Sequence, residues 1–102
     1  MIRFEWDETK ARSNQRKHGV SFEIARHVFE DRNALVEQDR IEGGERRWQT
    51  LGIVGSMLLL LVAHTGGIRR NEVDETVGII SARRANRSER QRYEEKRQEN
   101  YS

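Results

Sequence analysis

The sequence contains no cysteine, and this absence excludes several kinds of chemistry. Without cysteine the chain forms no disulfide and no catalytic thiolate, and it lacks the ligand that most structural zinc sites use. A reducing cytoplasm fits this composition. The three histidines, His18, His27 and His64, are scattered rather than paired at the spacing of metal ligands, so we expect no metal site.

Long hydrophobic runs are also missing. The longest, Met57 to Ala63, has seven residues, whereas a helix needs roughly 20 to span a bilayer. The first ten residues, MIRFEWDETK, lack the apolar region of a secretory signal. We therefore expect a cytoplasmic protein that has no contact with a membrane.

Common enzyme motifs are absent as well. The chain has no phosphate-binding loop of the glycine-lysine type and no glycine-flanked serine of the hydrolase type. These absences argue against a cofactor-dependent enzyme, and we expect no cofactor.

The chain has 102 residues, which is enough for one hydrophobic core and short for two. We predict a single domain over residues 1–102, with a flexible tail from about residue 97. Hydrophobic residues make up 34% of the chain and charged residues 35%, so the core should be small and the surface heavily charged.

Positive charge is concentrated at the C-terminal end. Residues 83–102 contain seven Lys or Arg against four Glu, a net charge of +3, and residues 1–50 contain ten of each sign. Such a basic segment suits nucleic acid or an acidic protein, although a solvated helix face is the more common explanation of charge alone.

The first half of the chain predicts one strand and two helices. Residues 2–6 alternate apolar and polar side chains, as a half-buried strand does. Asp7 can cap a helix that ends at Gly19, and Ser21 can cap a second helix whose apolar residues recur at helical spacing.

The second half predicts a run of strands and a final helix. Candidate strands cover residues 34–41, 48–54, 57–65 and 75–82, and the third is apolar on both faces and therefore central. Asn86 followed by Glu89 resembles a capping box, so the last helix should begin near Arg87. This order predicts the α+β class: a small antiparallel sheet with two N-terminal helices and one C-terminal helix, all on one side.

Two adjacent arginines, Arg83 and Arg84, lie where the last predicted strand gives way to the last helix. Neighbouring side chains of a strand point to opposite faces, so at most one arginine lies over the core side. That arginine should bond a carboxylate or await a phosphate, because an unpaired buried guanidinium is costly. Tyr93 shares a helix face with Glu89, and it can be either a core anchor or a functional group.

Other residues leave two interpretations open. His18 closes the first helix, where a cation interacts well with the helix dipole, so its role is electrostatic or catalytic. His64 ends the most apolar strand and is either a satisfied rim residue or an acid-base group. Trp6 and Trp48 could stack on RNA bases, but their alternation with polar residues favours the core.

Six motifs, taken in order, resemble those of the BrnT family of bacterial type II toxins. They are FEWDETK, KHGVSFE, VFED, ERRWQTLGIV, LLLLVAHT and IISARRANRSERQRYE, and they extend from residue 4 to residue 94. The resemblance implies a RelE-like fold and a metal-independent endoribonuclease that inhibits translation. It also implies neutralisation by a BrnA-type antitoxin, with operator DNA bound only through that antitoxin, and RNA, including ribosome-associated mRNA, as the target.

RNA cleavage of this kind needs a base for the 2′-hydroxyl, positive charge for the phosphorane and an acid for the leaving 5′-oxygen. Together with the resemblance, these needs give the catalytic candidates Lys17, His18, His64, Arg83, Arg84 and Tyr93. The candidates for RNA binding are Arg47, Arg69, Arg70, Arg87 and Arg90.

The sequence does not assign each catalytic role to a single residue. Arg83 or Arg84 would hold the phosphate, with Arg47 as a further contact. His18 or Lys17 would be the base, and Tyr93 or His64 the acid. The alternative function is a non-catalytic module that binds RNA or antitoxin, such as a degenerate toxin kept as a regulatory partner.

Overall fold

A five-stranded mixed sheet organises the chain. The computed structural model describes residues 2–66, 68–69, 72–73 and 76–101, and the side chains of all these residues except 68, 69, 72, 73 and 101. In chain order the elements are β1 (Arg3–Glu5), α1 (Glu8–His18), α2 (Phe22–Ala25), a 3-10 helix (Arg26–Glu30), β2 (Leu35–Glu42), β3 (Glu45–Val54), β4 (Leu58–Thr65), β5 (Ile68–Arg69), β6 (Glu72–Val73), β7 (Thr76–Arg84) and α3 (Arg87–Tyr101).

The strand order in the sheet is β1-β7-β4-β3-β2, and β5 pairs with β6 in a separate two-stranded ribbon. The pairs β2–β3, β3–β4 and β4–β7 are antiparallel, but β1 runs parallel to β7, with Arg3 opposite Thr76. The prediction of an antiparallel sheet is therefore wrong for β1. Its neighbours in the sequence are helices, so β1 has no hairpin partner and reaches the sheet at the far edge, where a parallel pairing is possible.

Helices cover both faces of the sheet, which corrects the expectation that all would lie on one side. On one face, α2 and the segments around it pack on Leu60 and Val62 of β4. On the other face, Tyr93 of α3 packs on Leu59 and Leu61 of the same strand. Because β4 is apolar on both faces, each face needs a covering layer. We call these the α1 face and the α3 face.

The helix ends follow local sequence signals. The Asp7 carboxylate accepts a hydrogen bond from the Lys10 amide at 3.1 Å, and Gly19 adopts a φ of 70° at the end of α1. The Ser21 hydroxyl caps α2 in the same way as Asp7 caps α1. These caps begin and end the helices where the sequence predicts, because they need only neighbouring residues.

Helix α3 continues to Tyr101 through the segment that the sequence predicts to be flexible. Its last turns are tied to the residues before β2: Lys96 Nζ donates to the Ala34 carbonyl and Asn100 Nδ2 to Asn33 Oδ1, each at 3.0 Å. Among the helices in the described part of the chain, none is long and apolar enough to cross a membrane.

The two-sided burial of β4 generates a stability prediction. Leu59→Ala and Leu60→Ala should each lower the free energy of unfolding by about 2 to 5 kcal/mol, because each removes a side chain that is 1% exposed or less from a different core. Urea denaturation measures both, with Met57→Ala, at a position 82% exposed, as the control within about 0.5 kcal/mol. A Leu variant that behaves like the Met57 variant would mean that its face of β4 is not packed.

Candidate functional site

The adjacent arginines at the end of β7 point to different faces of the sheet. Arg83 lies opposite Leu61 and therefore belongs to the α3 face, whereas Arg84 lies opposite Leu60 on the α1 face. Arg83 forms a double hydrogen bond with Glu89 of α3, with both N–O distances at 2.8 Å. One arginine thus already has a carboxylate partner.

The Arg83–Glu89 pair fastens the start of α3 to the sheet. The Glu89 side chain is 8% exposed, and its hydrogen bond to Arg83 holds its pKa below the usual range in spite of burial. The same bond raises the pKa of Arg83. Glu89 also accepts from the Asn86 amide at 2.9 Å, while Asn86 Oδ1 accepts from the Glu89 amide at 2.8 Å, which completes the predicted capping box. This geometry favours a structural role for Arg83.

Arg84, Arg87 and Arg90 surround the start of α3 and are exposed. None of the three forms an ion pair with another residue in the part of the chain that the structure describes. We call them the α3 basic surface. Asn86 and Glu89 already cap the first turn of α3, so the guanidinium groups are the part of this surface that attracts anions.

Helix α1 is anchored to the same end of β7 by Asn14. This side chain is 6% exposed; its amide nitrogen donates to the carbonyls of Val20 and Ala82, and its oxygen accepts from the Ala82 amide at 3.1 Å. His18 follows Asn14 by one helical turn, and Arg84 follows Ala82 by two residues on the same strand face. His18 and Arg84 are therefore both close in sequence to the contact between Asn14 and Ala82.

Lys17 and His18 occupy the last turn of α1, with Lys17 exposed and His18 half-buried. Neither side chain has a hydrogen bond or ion pair within the described ranges. Both remain available to a ligand at the junction of α1 and β7.

His64 is placed in the core rather than at a surface. Its side chain is 1% exposed, its Nε2 lies 2.7 Å from the Thr50 hydroxyl, and the Phe29 ring packs on it at 4.8 Å between centroids. Burial lowers the pKa of His64, so the ring is neutral near pH 7. Of the two roles that the sequence leaves open, the geometry favours the satisfied core residue.

Tyr93 is also buried, at 1% exposed, and its hydroxyl donates to Asp31 at 2.6 Å. Burial and the Asp31 carboxylate raise the pKa of Tyr93, so the phenol is a poor proton donor. Asp31 also accepts from the backbone amides of Ile53 and Asn33, at 2.8 and 2.9 Å. Asp31 thus connects three separate segments.

Sequence reasoning missed Asp31 as an anchor. It lies in the quoted motif VFED, but no local pattern reveals a carboxylate whose partners are 22 and 62 residues away. Only the tertiary structure brings these groups together.

Among the remaining candidates whose side chains the structure describes, Arg47 has a carboxylate partner. Arg47, on the α3 face, is 24% exposed and pairs with Glu42 at 3.3 Å. Arg70 and the side chain of Arg69 lie outside the described residues. Trp6 is half-buried against Phe22, and Trp48, also half-buried, lies 5.9 Å from the Arg46 guanidinium.

The structure therefore divides the predicted site residues into two groups. Lys17, His18, Arg84, Arg87 and Arg90 are accessible and lie around the ends of α1 and β7 and the start of α3. Arg83, His64 and Tyr93 are held in internal contacts. No cluster of three or more His, Asp or Glu side chains with metal-binding geometry occurs within residues 2–66 and 76–100.

Comparison with known proteins places this geometry in context. The sequence model of the family described as "Ribonuclease toxin, BrnT, of type II toxin-antitoxin system" matches residues 6–89. Among solved structures, the chain is similar to the Brucella abortus ribonuclease toxin BrnT, with a TM-score of 0.59 and 20% identity. The match covers 85% of this chain and 100% of that one. A search of curated protein sequences finds no match.

The two arginines should respond differently to substitution. Arg83→Ala should lower the free energy of unfolding by about 1 to 3 kcal/mol, because it leaves the nearly buried Glu89 carboxylate without its main partner. Arg84→Ala, at an exposed and unpaired position, should change it by less than about 0.5 kcal/mol. Urea denaturation of both variants checks this, and equal losses would contradict the assignment of Arg83 as the structural member.

His64 predicts a pH dependence of stability. Its pKa is lowered in the folded chain, so below the ordinary value of 6.5 the unfolded chain binds a proton that the folded chain does not. Stability should therefore fall as the pH drops through about 6.5. Glu89 acts in a separate window, below about pH 4.5, where protonating its carboxylate removes stability.

The His64 contribution can be isolated by substitution. His64→Asn should flatten the fall in stability that accompanies acidification through about pH 6.5. Nuclear magnetic resonance titration of the His64 ring in the unaltered protein gives a second measurement. A midpoint above 6.5 would show that the ring is not buried in the neutral form.

Proposed function

The chain belongs to the BrnT family of ribonuclease toxins of type II toxin-antitoxin systems, and we propose that it cleaves RNA at the junction of α1, β7 and α3. The observation that carries this proposal is the α3 basic surface. Its three guanidinium groups are exposed and unpaired in the described structure, and they surround a helix N-terminus. Together they suit a phosphodiester, because guanidinium groups bind phosphate oxygens.

Arg84 is the proposed phosphate-binding residue. Of the adjacent pair, it alone has no carboxylate partner among the described residues, and it lies on the α1 face together with the Asn14–Ala82 contact. A guanidinium keeps its charge throughout the reaction, so it can stabilise the negative charge that develops on the phosphorane. Arg87 and Arg90 would contact neighbouring phosphates.

The proposed reaction is a transesterification that uses His18 and Lys17. The His18 imidazole takes the proton of the 2′-hydroxyl, whose oxygen then bonds to the adjacent phosphorus. The bond from phosphorus to the 5′-oxygen breaks, and the Lys17 ammonium gives that oxygen a proton. The products are a 2′,3′-cyclic phosphate and a 5′-hydroxyl, so no water or metal enters this step.

The internally bonded residues would support the site instead of contacting RNA. Arg83 and Glu89 fix the first turn of α3, on which Arg87 and Arg90 lie. Tyr93 fixes the middle of that helix through Asp31, and His64 fills the core under the 3-10 helix. The acid-base roles considered for Tyr93 and His64 are not part of this proposal, because both side chains are 1% exposed.

Membership in a type II family supports an antitoxin partner. We propose that a BrnA-type antitoxin neutralises the chain by covering the α3 basic surface, and that the complex binds operator DNA through the antitoxin. We further propose a cytoplasmic toxin that inhibits translation by cutting mRNA, with a fold related to RelE-like toxins.

Cleavage of a labelled RNA tests the assignment. Arg84→Ala should reduce the rate by about 100-fold or more, as expected when a group that stabilises developing charge is removed. Arg3→Ala is the matched control, since Arg3 pairs in register with Thr76, eight residues or about 26 Å along β7 from Arg84. His18→Gln should also reduce the rate, without altering RNA affinity.

Two outcomes would contradict this proposal. Full activity of Arg84→Ala would remove Arg84 from the reaction. Tight RNA binding by the unaltered protein without any new RNA ends, at concentrations that stop growth, would favour the non-catalytic binding module.

A further inference from the structure

A cleft of about 700 Å³ opens between α3, the end of the 3-10 helix and the turn between β3 and β4. Its volume is in the range of sites that bind small molecules or single residues of a polymer. Arg32 and Arg97 contribute charge to its lining, Ile53 and Val54 contribute apolar surface, and Tyr93 also borders it. None of the chemistry assigned above uses this cleft.

The carboxylates of the cleft are already engaged by neighbouring groups. Asp31 accepts hydrogen bonds from Tyr93 and two backbone amides, and Glu30 contacts the His27 ring. Arg32, by contrast, is exposed and forms no ion pair within the part of the chain described. Arg32 is therefore the charged group of the lining that is free to meet a ligand, and it is a cation.

Arg97 forms only a weak ion pair with a carboxylate. Its guanidinium lies 3.6 Å from Glu94, and both side chains are nearly half exposed, at 47% and 45%. Exposed pairs of this kind contribute little stability, so a phosphate can replace the carboxylate.

Helix geometry connects the cleft with the α3 basic surface. Arg90 and Arg97 are seven residues apart, which places them on the same side of α3 within about 20° and about 10 Å apart along its axis. Because Arg97 borders the cleft, Arg90 lies on the side of the helix that leads to it. Arg87, Arg90 and Arg97 thus follow one another along α3, and Arg84 precedes them at the end of β7.

We propose that this cleft binds a second segment of the single-stranded RNA that contacts the α3 basic surface. Arg97 and Arg32 bind phosphates of that segment, and Ile53, which packs on the α3 face, offers apolar surface to a base. The inference rests on the proposed function and extends it, because it gives the RNA a path along α3 instead of a single point of contact. Continuity with the basic surface and the unpaired Arg32 favour RNA over an acidic protein segment as the occupant.

The test is the salt dependence of binding to a labelled 12-nucleotide 2′-O-methyl RNA, which lacks the 2′-hydroxyl needed for cleavage. Each phosphate contact on a single strand contributes about −0.7 to the slope of log affinity against log salt. Arg97→Ala and Arg32→Ala should each reduce the slope by about that amount and weaken binding severalfold. Arg97→Lys should keep the slope, and Arg3→Ala should match the unaltered protein.

Arg84→Ala distinguishes the failure of this inference from the failure of the proposed function. If it weakens binding while Arg97→Ala and Arg32→Ala behave like Arg3→Ala, the cleft does not hold RNA and the basic surface does. If the unaltered protein does not bind the RNA, both proposals are overturned. If Arg97→Ala and Arg32→Ala weaken only the complex with an antitoxin, the cleft is a protein-binding site and the inference fails.

Discussion

Strand β4 imposes the main constraint on this structure, because it is apolar on both faces. Leu59 and Leu61 need cover on one side, and Leu60 and Val62 need cover on the other. Water must be excluded from both sides, so one helical layer cannot complete the fold. The N-terminal helices supply one layer and α3 supplies the other. Each side chain of the neighbouring strand β7 consequently faces either the layer of N-terminal helices or the layer formed by α3.

Local signals could be predicted from the sequence, and long-range contacts could not. Asp7, Ser21 and the Asn86–Glu89 box mark helix ends through bonds between residues three apart, which the sequence displays directly. The parallel pairing of β1 depends on a strand more than 70 residues away, and periodicity does not encode a partner. The second layer was implicit in the two apolar faces of β4, but the pattern of strands and short turns suggested one layer.

In the candidate site, too, local features could be predicted from the sequence and long-range contacts could not. Sequence and family resemblance predicted site residues at the arginine pair and the end of α1, and alternation predicted that Arg83 and Arg84 would diverge. They could not show which arginine meets Glu89, nor that His64 and Tyr93 are enclosed, because those facts depend on side chains from distant segments. Asp31 connects the end of the 3-10 helix with β3 and α3. No local sequence pattern predicts these contacts.

The separation of Arg83 from Arg84 also has a genetic consequence. Arg83 helps to hold the start of α3, and Arg84 belongs to the surface that we assign to RNA. Under the proposed function, selection for cells that survive production of this chain without an antitoxin enriches inactive copies of it, and substitutions at these two positions should inactivate it by different routes. Changes at codon 84 should leave a normal amount of folded protein that an antitoxin still recognises in part. Changes at codon 83 should deplete the protein through unfolding and proteolysis, leaving little for a partner to bind.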